Sequence, residues 1–375
     1  MGESSRHVVI GAGLAGASAA WRLAQAGHEL AVLERDVPAG PLGSSHGSAR
    51  IFRYAYPDRF YADLVVQAAE GWQELEREAE EPLLTLTGAV DHGEARRPAE
   101  LAQVLAGAGV DHELLGAAEA ADRWPMFAFD SEVLWHPGAG VLDAERTVAA
   151  MLRMAQRAGA RLQTGWEVSR VEETASGVRL TSSDGRRWDA EHLVVCAGGW
   201  LPRLLGELPL PAGFLPANRR LTVRQEQAFH YPYRGGAAEA SARPTFIHGD
   251  RDITVYGLPG GRDADHRGQK VAEFNGGKVI GSAADQDGRI DDAGRARVTR
   301  FVADRLPGVE PTPYAETTCL FTTTADEDFL IDRHERVTVV SPCSGHGAKF
   351  APLLGELVLA AATGDGDVPA TFRAR

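Results

Sequence analysis

Short apolar runs and longer amphipathic stretches alternate along the chain. Val8–Ile10 is a brief apolar run of the kind that forms a buried parallel strand. Ala17 to Ala26 is rich in small residues and reads as a helix stopped by Gly27, and Glu29–Leu33 reads as a second strand. Asp63–Glu80 has the period of an amphipathic helix with a charged outer face. Leu84–Asp91 predicts a strand, and Ala99–Ala106 and Ala117–Trp124 predict helices. Trp124–Gly140, rich in Pro, Trp and Phe, is expected to be irregular. Glu145–Ala158 predicts a strong helix, capped by Asp143 and ended by Gly159. Arg161–Gln163, Glu167–Glu173, Gly177–Ser182 and Arg187–Asp189 predict a meander of short strands, followed by a buried strand at His192–Ala197. Leu221–Phe229 and Thr245–Tyr256 are strand candidates, and Gly257–Gly277 reads as a long polar loop that contains Lys270. Asp291–Arg305 predicts a helix, Val337–Val340 a strand, and Ala351–Ala362 an apolar helix.

This order predicts an α/β fold, α+β in part. A Rossmann-type nucleotide domain would be assembled from residues 1–82, 141–208 and 315–375. An antiparallel-sheet substrate domain would fill the gaps, 83–140 and 209–314.

The first strand breaks into Gly11, Gly13 and Gly16, spaced G-x-G-x-x-G, and Glu34 ends the second strand. Gly11 permits the tight turn, Gly13 lets a pyrophosphate approach the backbone, and Gly16 lets helix and strand pack closely. The helix start offers free N–H groups, and Glu34 can bind the ribose hydroxyls of an adenosine. Arg35 could invite a 2′-phosphate, which Glu34 would repel. No second copy of the motif has strand and helix flanks, so one dinucleotide is expected, and its position favours FAD over NAD.

Composition narrows the function. A net charge of −13 argues against nucleic-acid partners. The apolar run at His7–Ile10 is too short for a signal peptide, and no stretch reaches the roughly 20 apolar residues of a spanning helix. A cytoplasmic protein without membrane contact is expected. Cys196, Cys319 and Cys343 show no paired spacing, so no disulfide framework is expected. Arg50 and Arg53 would share one face of a helical turn.

Several separated motifs then stand in one order: GAGLAG at 11–16, GSSHGSARIFRYAY at 43–56, VVCAGGW at 194–200, VYGLP at 255–259, TTCLFTTTADEDFLID at 317–332 and SGHGAKF at 344–350. The chain resembles the monomeric sarcosine oxidase and N-methyltryptophan oxidase family, within the D-amino-acid-oxidase-like flavoenzymes. The resemblance implies FAD linked covalently through Cys319. It implies oxidation of a secondary amine that carries a carboxylate, with O₂ as acceptor and H₂O₂ as product, in a monomer. Arg53 and Lys349 match the carboxylate-binding pair, Lys270 the oxygen-activating lysine, and Tyr256 an active-site tyrosine. His46 and Arg50 match residues set against the flavin ring. Arg35, Ser44, Ser45, Val168, Gly345 and Gly347 match further cofactor contacts. His346 is expected to brace its loop, and the helix from Ala351 to face N–H groups toward the ring.

The departures fall at Phe274, where sarcosine-specific members carry histidine, at Cys343 and Ala348, where aromatic rings are replaced, and at Pro342, where a glycine is. Those at Phe274, Cys343 and Ala348 imply a roomier, more apolar pocket than one built for sarcosine. Three alternatives stand beside this reading: a primary-amine (glycine or D-amino acid) oxidase, an NAD-dependent dehydrogenase, and a flavin-binding subunit without activity of its own.

Overall fold

The first strand, Glu3–Ile10, runs parallel to Leu30–Leu33 on one side and to Arg187–Val195 on the other. Arg161–Gln163 extends this parallel set beyond Leu30–Leu33, and Val337–Ser341 extends it beyond Arg187–Val195. Antiparallel strands at its margins make an eight-stranded sheet. The chain is seen here as a computed structural model that describes residues 3–235 and 243–374; the outermost residues of the expected domain ranges, 1, 2 and 375, lie outside it.

The parallel strands are apolar on both faces because both faces are covered. Helices Leu14–Gln25, Ala144–Arg157 and Ala351–Thr363 share one core with Val9, Val32 and Val194. Val8, Ile10, Leu193 and Val195 point the other way, into a second core with Trp166 and Trp188. The glycine turn is packed without slack. A Cβ on Gly16 would lie 1.9 Å from the carbonyl oxygen of Gly11, which itself has φ +95°. Gly16→Ala is therefore expected to lower the free energy of unfolding by about 1–3 kcal/mol, as overpacking does, measured by denaturant unfolding.

A nine-stranded sheet stands beside the first. Its middle runs Thr222–Pro232, Gly268–Glu273, Thr254–Pro259, Thr245–Gly249, Ala89–His92, Val133–His136. All these pairs are antiparallel except Thr245–Gly249 with Ala89–His92. Ala315–Thr323 joins the other edge of Thr222–Pro232. A three-stranded sheet, Arg50–Phe52, Gly140–Leu142 and Leu84–Leu86, completes the fold. The α/β expectation holds, and no helix among the described residues is long and apolar enough to cross a membrane.

Several local expectations fail for physical reasons. Leu84–Asp91 is two strands in different sheets, because the chain turns at Gly88, whose φ is +70° and whose Cβ would lie 1.7 Å from the Trp135 ring. Trp124–Gly140 is not wholly irregular: Val133–His136 is a buried strand. The loop expected at Gly257–Gly277 is interrupted by sheet, the end of Thr254–Pro259 and the whole of Gly268–Glu273, with Lys270 inside the latter. Gln269 and Lys270 are buried by the neighbouring strands rather than by their own hydrophobicity, which sequence pattern cannot register. Arg187–Asp189 and His192–Ala197 are largely one strand, Arg187–Val195, and Thr245–Tyr256 is a hairpin. Arg161–Gln163 leaves the meander for the parallel set. Arg50 begins a strand, not a helical turn. The helix expected from Asp63 starts at Arg59, where the Asp58 side chain accepts from the Phe60 N–H at 2.8 Å.

Candidate active site

A cleft of about 1210 Å³ is lined by the glycine turn and by one face of the nine-stranded sheet. Pockets for a single small ligand run about 300–1,000 Å³, so this one has room for a dinucleotide and a substrate together.

At one end, Glu34 ties the turn together. Its Oε2 accepts from the Ala12 N–H at 2.7 Å and its Oε1 from the Asp36 N–H at 2.9 Å. Gly13 faces the cleft, and a Cβ there would lie 2.9 Å from Ser45 Oγ. Ser45 Oγ accepts from the Leu14 N–H in the first turn of the helix, and Ser44 Oγ donates to the Leu320 carbonyl at 2.7 Å. Arg35 lies over the Trp200 ring at 4.5 Å and 3.7 Å from Glu167. Val168 lines the same end.

The middle of the cleft is cationic. Arg50 donates to the carbonyls of Ala49, Ser44 and His46 at 2.8, 3.0 and 2.6 Å, which fixes the 43–56 segment around its charge. Lys270 sits on the cleft face directly opposite His230 and Leu258 on the adjacent strands. It is only 7 % exposed. Burial, then Arg50, brings its pKa down to about 8. Burial, then Arg50 and Lys270, holds His46 near 4, so its imidazole is neutral and its Nε2 has no protein partner. Tyr256 lines the wall, its phenol pushed up by burial. Cys319 stands on Ala315–Thr323, opposite the buried Glu226. Burial raises its thiol, and Arg50 and Lys270 oppose that rise. A nearby lysine or arginine charge favours the thiolate, which is the reactive form.

The far end holds Arg53 and Lys349. The Arg53 guanidinium donates to the Ala55 carbonyl and lies 4.8 Å from the centre of the Tyr56 ring. Lys349 is 4 % exposed. Its Nζ donates to Tyr56 Oη at 2.9 Å and to the His346 carbonyl at 2.7 Å, and burial lowers its pKa well below the ordinary range. Trp72 Nε1 donates to the Lys349 carbonyl at 2.7 Å and so holds the backbone as well. His346 sits between Tyr56 Oη and the Glu327 carbonyl, 3.0 Å from each, and stacks on Phe329. Burial holds it neutral, near 3.

Gly345 and Gly347 form a turn that side chains would not fit. A Cβ on Gly345 would lie 2.8 Å from both Phe274 and Phe321, and one on Gly347 would lie 1.7 Å from the Pro342 carbonyl oxygen. Phe274 packs on Phe321 at 5.7 Å and lines the cleft with Cys343 and Ala348. A 3₁₀ turn, Gly347–Phe350, intervenes before the helix at Ala351. The sequence reading did not single out Arg96 or Asp91. Arg96 lines the far end beside Arg53, and Asp91 is ion-paired to it. Arg96 stands in the charged run GEARRP, where nothing distinguishes it from a solvated residue.

A dinucleotide turn that opens into a long cleft ending on buried cations defines an oxidoreductase that uses a nucleotide cofactor. The family model described as "FAD dependent oxidoreductase" (DAO) matches residues 6–361. Monomeric sarcosine oxidase of Streptomyces avermitilis is 32 % identical, over 94 % of this chain and 91 % of that protein. N-methyl-L-tryptophan oxidase of Yersinia pestis is also 32 % identical, over 93 % of this chain and 92 % of its own. Among solved structures, NikD, an unusual amino acid oxidase essential for nikkomycin biosynthesis, superposes with a TM-score of 0.84 at 24 % identity, covering 98 % of this chain and 95 % of its own. The chain belongs to the DAO family of FAD-dependent oxidoreductases and is a FAD-dependent amine oxidase. The NAD-dependent alternative falls with that assignment. The glycine cradle, Glu34 and the size of the cleft fit FAD.

Proposed function

We propose that the chain oxidises the secondary amine of an N-alkyl or cyclic amino acid, with FAD attached through Cys319 and O₂ as acceptor. For an N-methyl substrate, amine, O₂ and water would give the demethylated amine, formaldehyde and H₂O₂. The observation that carries this reading is the joining, in one cleft, of a dinucleotide turn to Arg53 and the buried Lys349. On this reading, residues 1–82, 141–208 and 315–375 hold the cofactor, and residues 83–140 and 209–314 provide the wall for the substrate.

Bound FAD supplies the acceptor for the hydride equivalent that leaves the carbon next to nitrogen. The protein's part is orientation and charge. An Arg fork and a Lys point charge together hold one carboxylate, which sets where the amine lies. Tyr256, Phe274 and Phe321 wall that position and exclude water. Lys270 keeps a proton on Nζ below about pH 8, and so offers positive charge where negative charge develops on oxygen. His346 has both ring nitrogens engaged and serves as a brace, not a base.

The apolar wall supports a substrate larger than sarcosine. Phe274 packs against Phe321, where its ring adds apolar surface rather than leaving space, while Cys343 and Ala348 leave room beside it. A cyclic imino acid or an N-methyl aromatic amino acid is expected to exceed sarcosine in kcat/KM by at least about 10-fold, the worth of one well-buried methylene or more. Steady-state comparison checks this, and sarcosine as best substrate would sink it. Ammonia in place of an aldehyde or cyclic imine as product would favour a primary-amine oxidase instead. Acid precipitation of the purified protein is expected to leave the yellow colour in the pellet, and that of Cys319→Ser to release it to the supernatant.

A further inference from the structure

A second guanidinium stands beside Arg53. Arg96 lines the same cleft, its side chain 14 % exposed. Its Nε donates to Asp91 Oδ1 at 2.6 Å and its Nη2 to the Ala55 carbonyl at 3.0 Å. Arg53 donates to that same carbonyl through Nη1. One backbone oxygen thus takes a donor from each arginine, and the position of one fork constrains the other. Ala55 is fully buried, so water does not compete for its oxygen.

Asp91 anchors the set. It is fully buried on the strand Ala89–His92, in register with Ile247, which lines the cleft. Its Oδ2 has no partner, and neither has either nitrogen of the buried His136 on the next strand. Burial holds His136 neutral, near 4, so it adds no charge. Arg53 and Arg96 then stand beside one buried carboxylate, Asp91, whose charge acts on both. Like charges brought together out of water are held only by a counter-charge. Asp91 provides one and is spent on Arg96; an incoming substrate carboxylate would provide the next.

We propose that Asp91 and Arg96 are positioning residues of the substrate site: Asp91 fixes Arg96, and Arg96, through the shared Ala55 carbonyl, fixes the fork of Arg53. The set makes this end of the cleft select an anionic carboxylate over a neutral amide of the same shape. This rests on the reading that Arg53 and Lys349 hold a carboxylate. A salt bridge that served folding alone would change stability without changing that selection.

The test uses the FAD-loaded enzyme and its variants Asp91→Asn, Arg96→Met, Arg96→Lys and the double variant Asp91→Asn/Arg96→Met, with Arg53→Met as reference. Benzoate and benzamide binding is read from the perturbation of the flavin absorbance, and kcat and KM are measured separately. Loss of charged hydrogen bonding in Arg96→Met and Asp91→Asn is expected to weaken benzoate by about 10- to 100-fold. Benzamide should stay within about twofold, KM should rise more than kcat falls, and Arg96→Lys should recover part of the benzoate affinity. Equal weakening of both ligands, or of neither, overturns the proposal. Arg96→Met alone leaves Asp91 buried and unpaired; the double variant removes both charges and keeps the test open if the single variant does not fold. If Arg53→Met leaves benzoate unchanged, the carboxylate reading itself fails. If Arg53→Met weakens benzoate and the other variants do not, only the positioning role fails.

Discussion

Replacing Lys270 by methionine is expected to slow the oxygen half-reaction by about 10²–10³-fold, the usual cost of removing one preorganised electrostatic partner. The amine half-reaction should change far less. The reason is placement. Lys270 is 7 % exposed and lies on the cleft face of a central strand, where no solvent shell competes with it. A charge held there acts on developing negative charge without first reorganising water. Methionine matches the length and removes the charge, so packing is conserved. The pH dependence follows from the same burial. Burial, then Arg50, lowers the Lys270 pKa to about 8, so the ammonium is present below that value and is lost as pH rises through it. The rate of the oxygen step should therefore fall above about pH 8 in the native enzyme, and this limb should be missing in Lys270→Met. Stopped-flow measurement of the two half-reactions separates these outcomes; an equal loss in both would show that Lys270 acts on the substrate or on folding instead.

Arg53→Met is expected to lower kcat/KM for a carboxylate substrate by about 10²-fold or more. Truncating one member of a buried, hydrogen-bonded charge pair costs about 2–5 kcal/mol, and each 1.4 kcal/mol is tenfold. The effect should fall on KM and kcat together, because on the proposed reading one fork both binds the carboxylate and sets where the reacting carbon lies. A substrate amide should lose much less. Lys349→Met should be weaker than Arg53→Met in this respect. Lys349 already donates to Tyr56 Oη and the His346 carbonyl, and burial reduces its hold on a proton.

How much of this was legible in the chain varied with the kind of signal. The dinucleotide turn was plain, because G-x-G-x-x-G between a strand and a helix is a local pattern with a local cause. The structure agrees down to the 1.9 Å that a Cβ on Gly16 would leave. The helix cap at Asp143 was also local, and its side chain accepts the backbone N–H three residues on. The sequence alone predicts a loop around Lys270, because Gly257–Gly277 is polar and rich in glycine. Its strand exists because Thr222–Pro232 and Thr254–Pro259 flank it on both sides. Arg96 and Asp91 carry no signal in the sequence for a related reason. A charged run looks solvated unless the fold that buries it is known.

The sequence by itself determined the dinucleotide turn, the family and with it the cofactor class, since each depends on neighbours along the chain or on motifs in order. Tertiary structure alone decided which charges share one cleft. Arg53, Arg96 and Lys349 come from three distant stretches, and Asp91 is buried behind them. Their energies depend on burial and on mutual distance through space, and neither quantity is written in the spacing of residues along a chain.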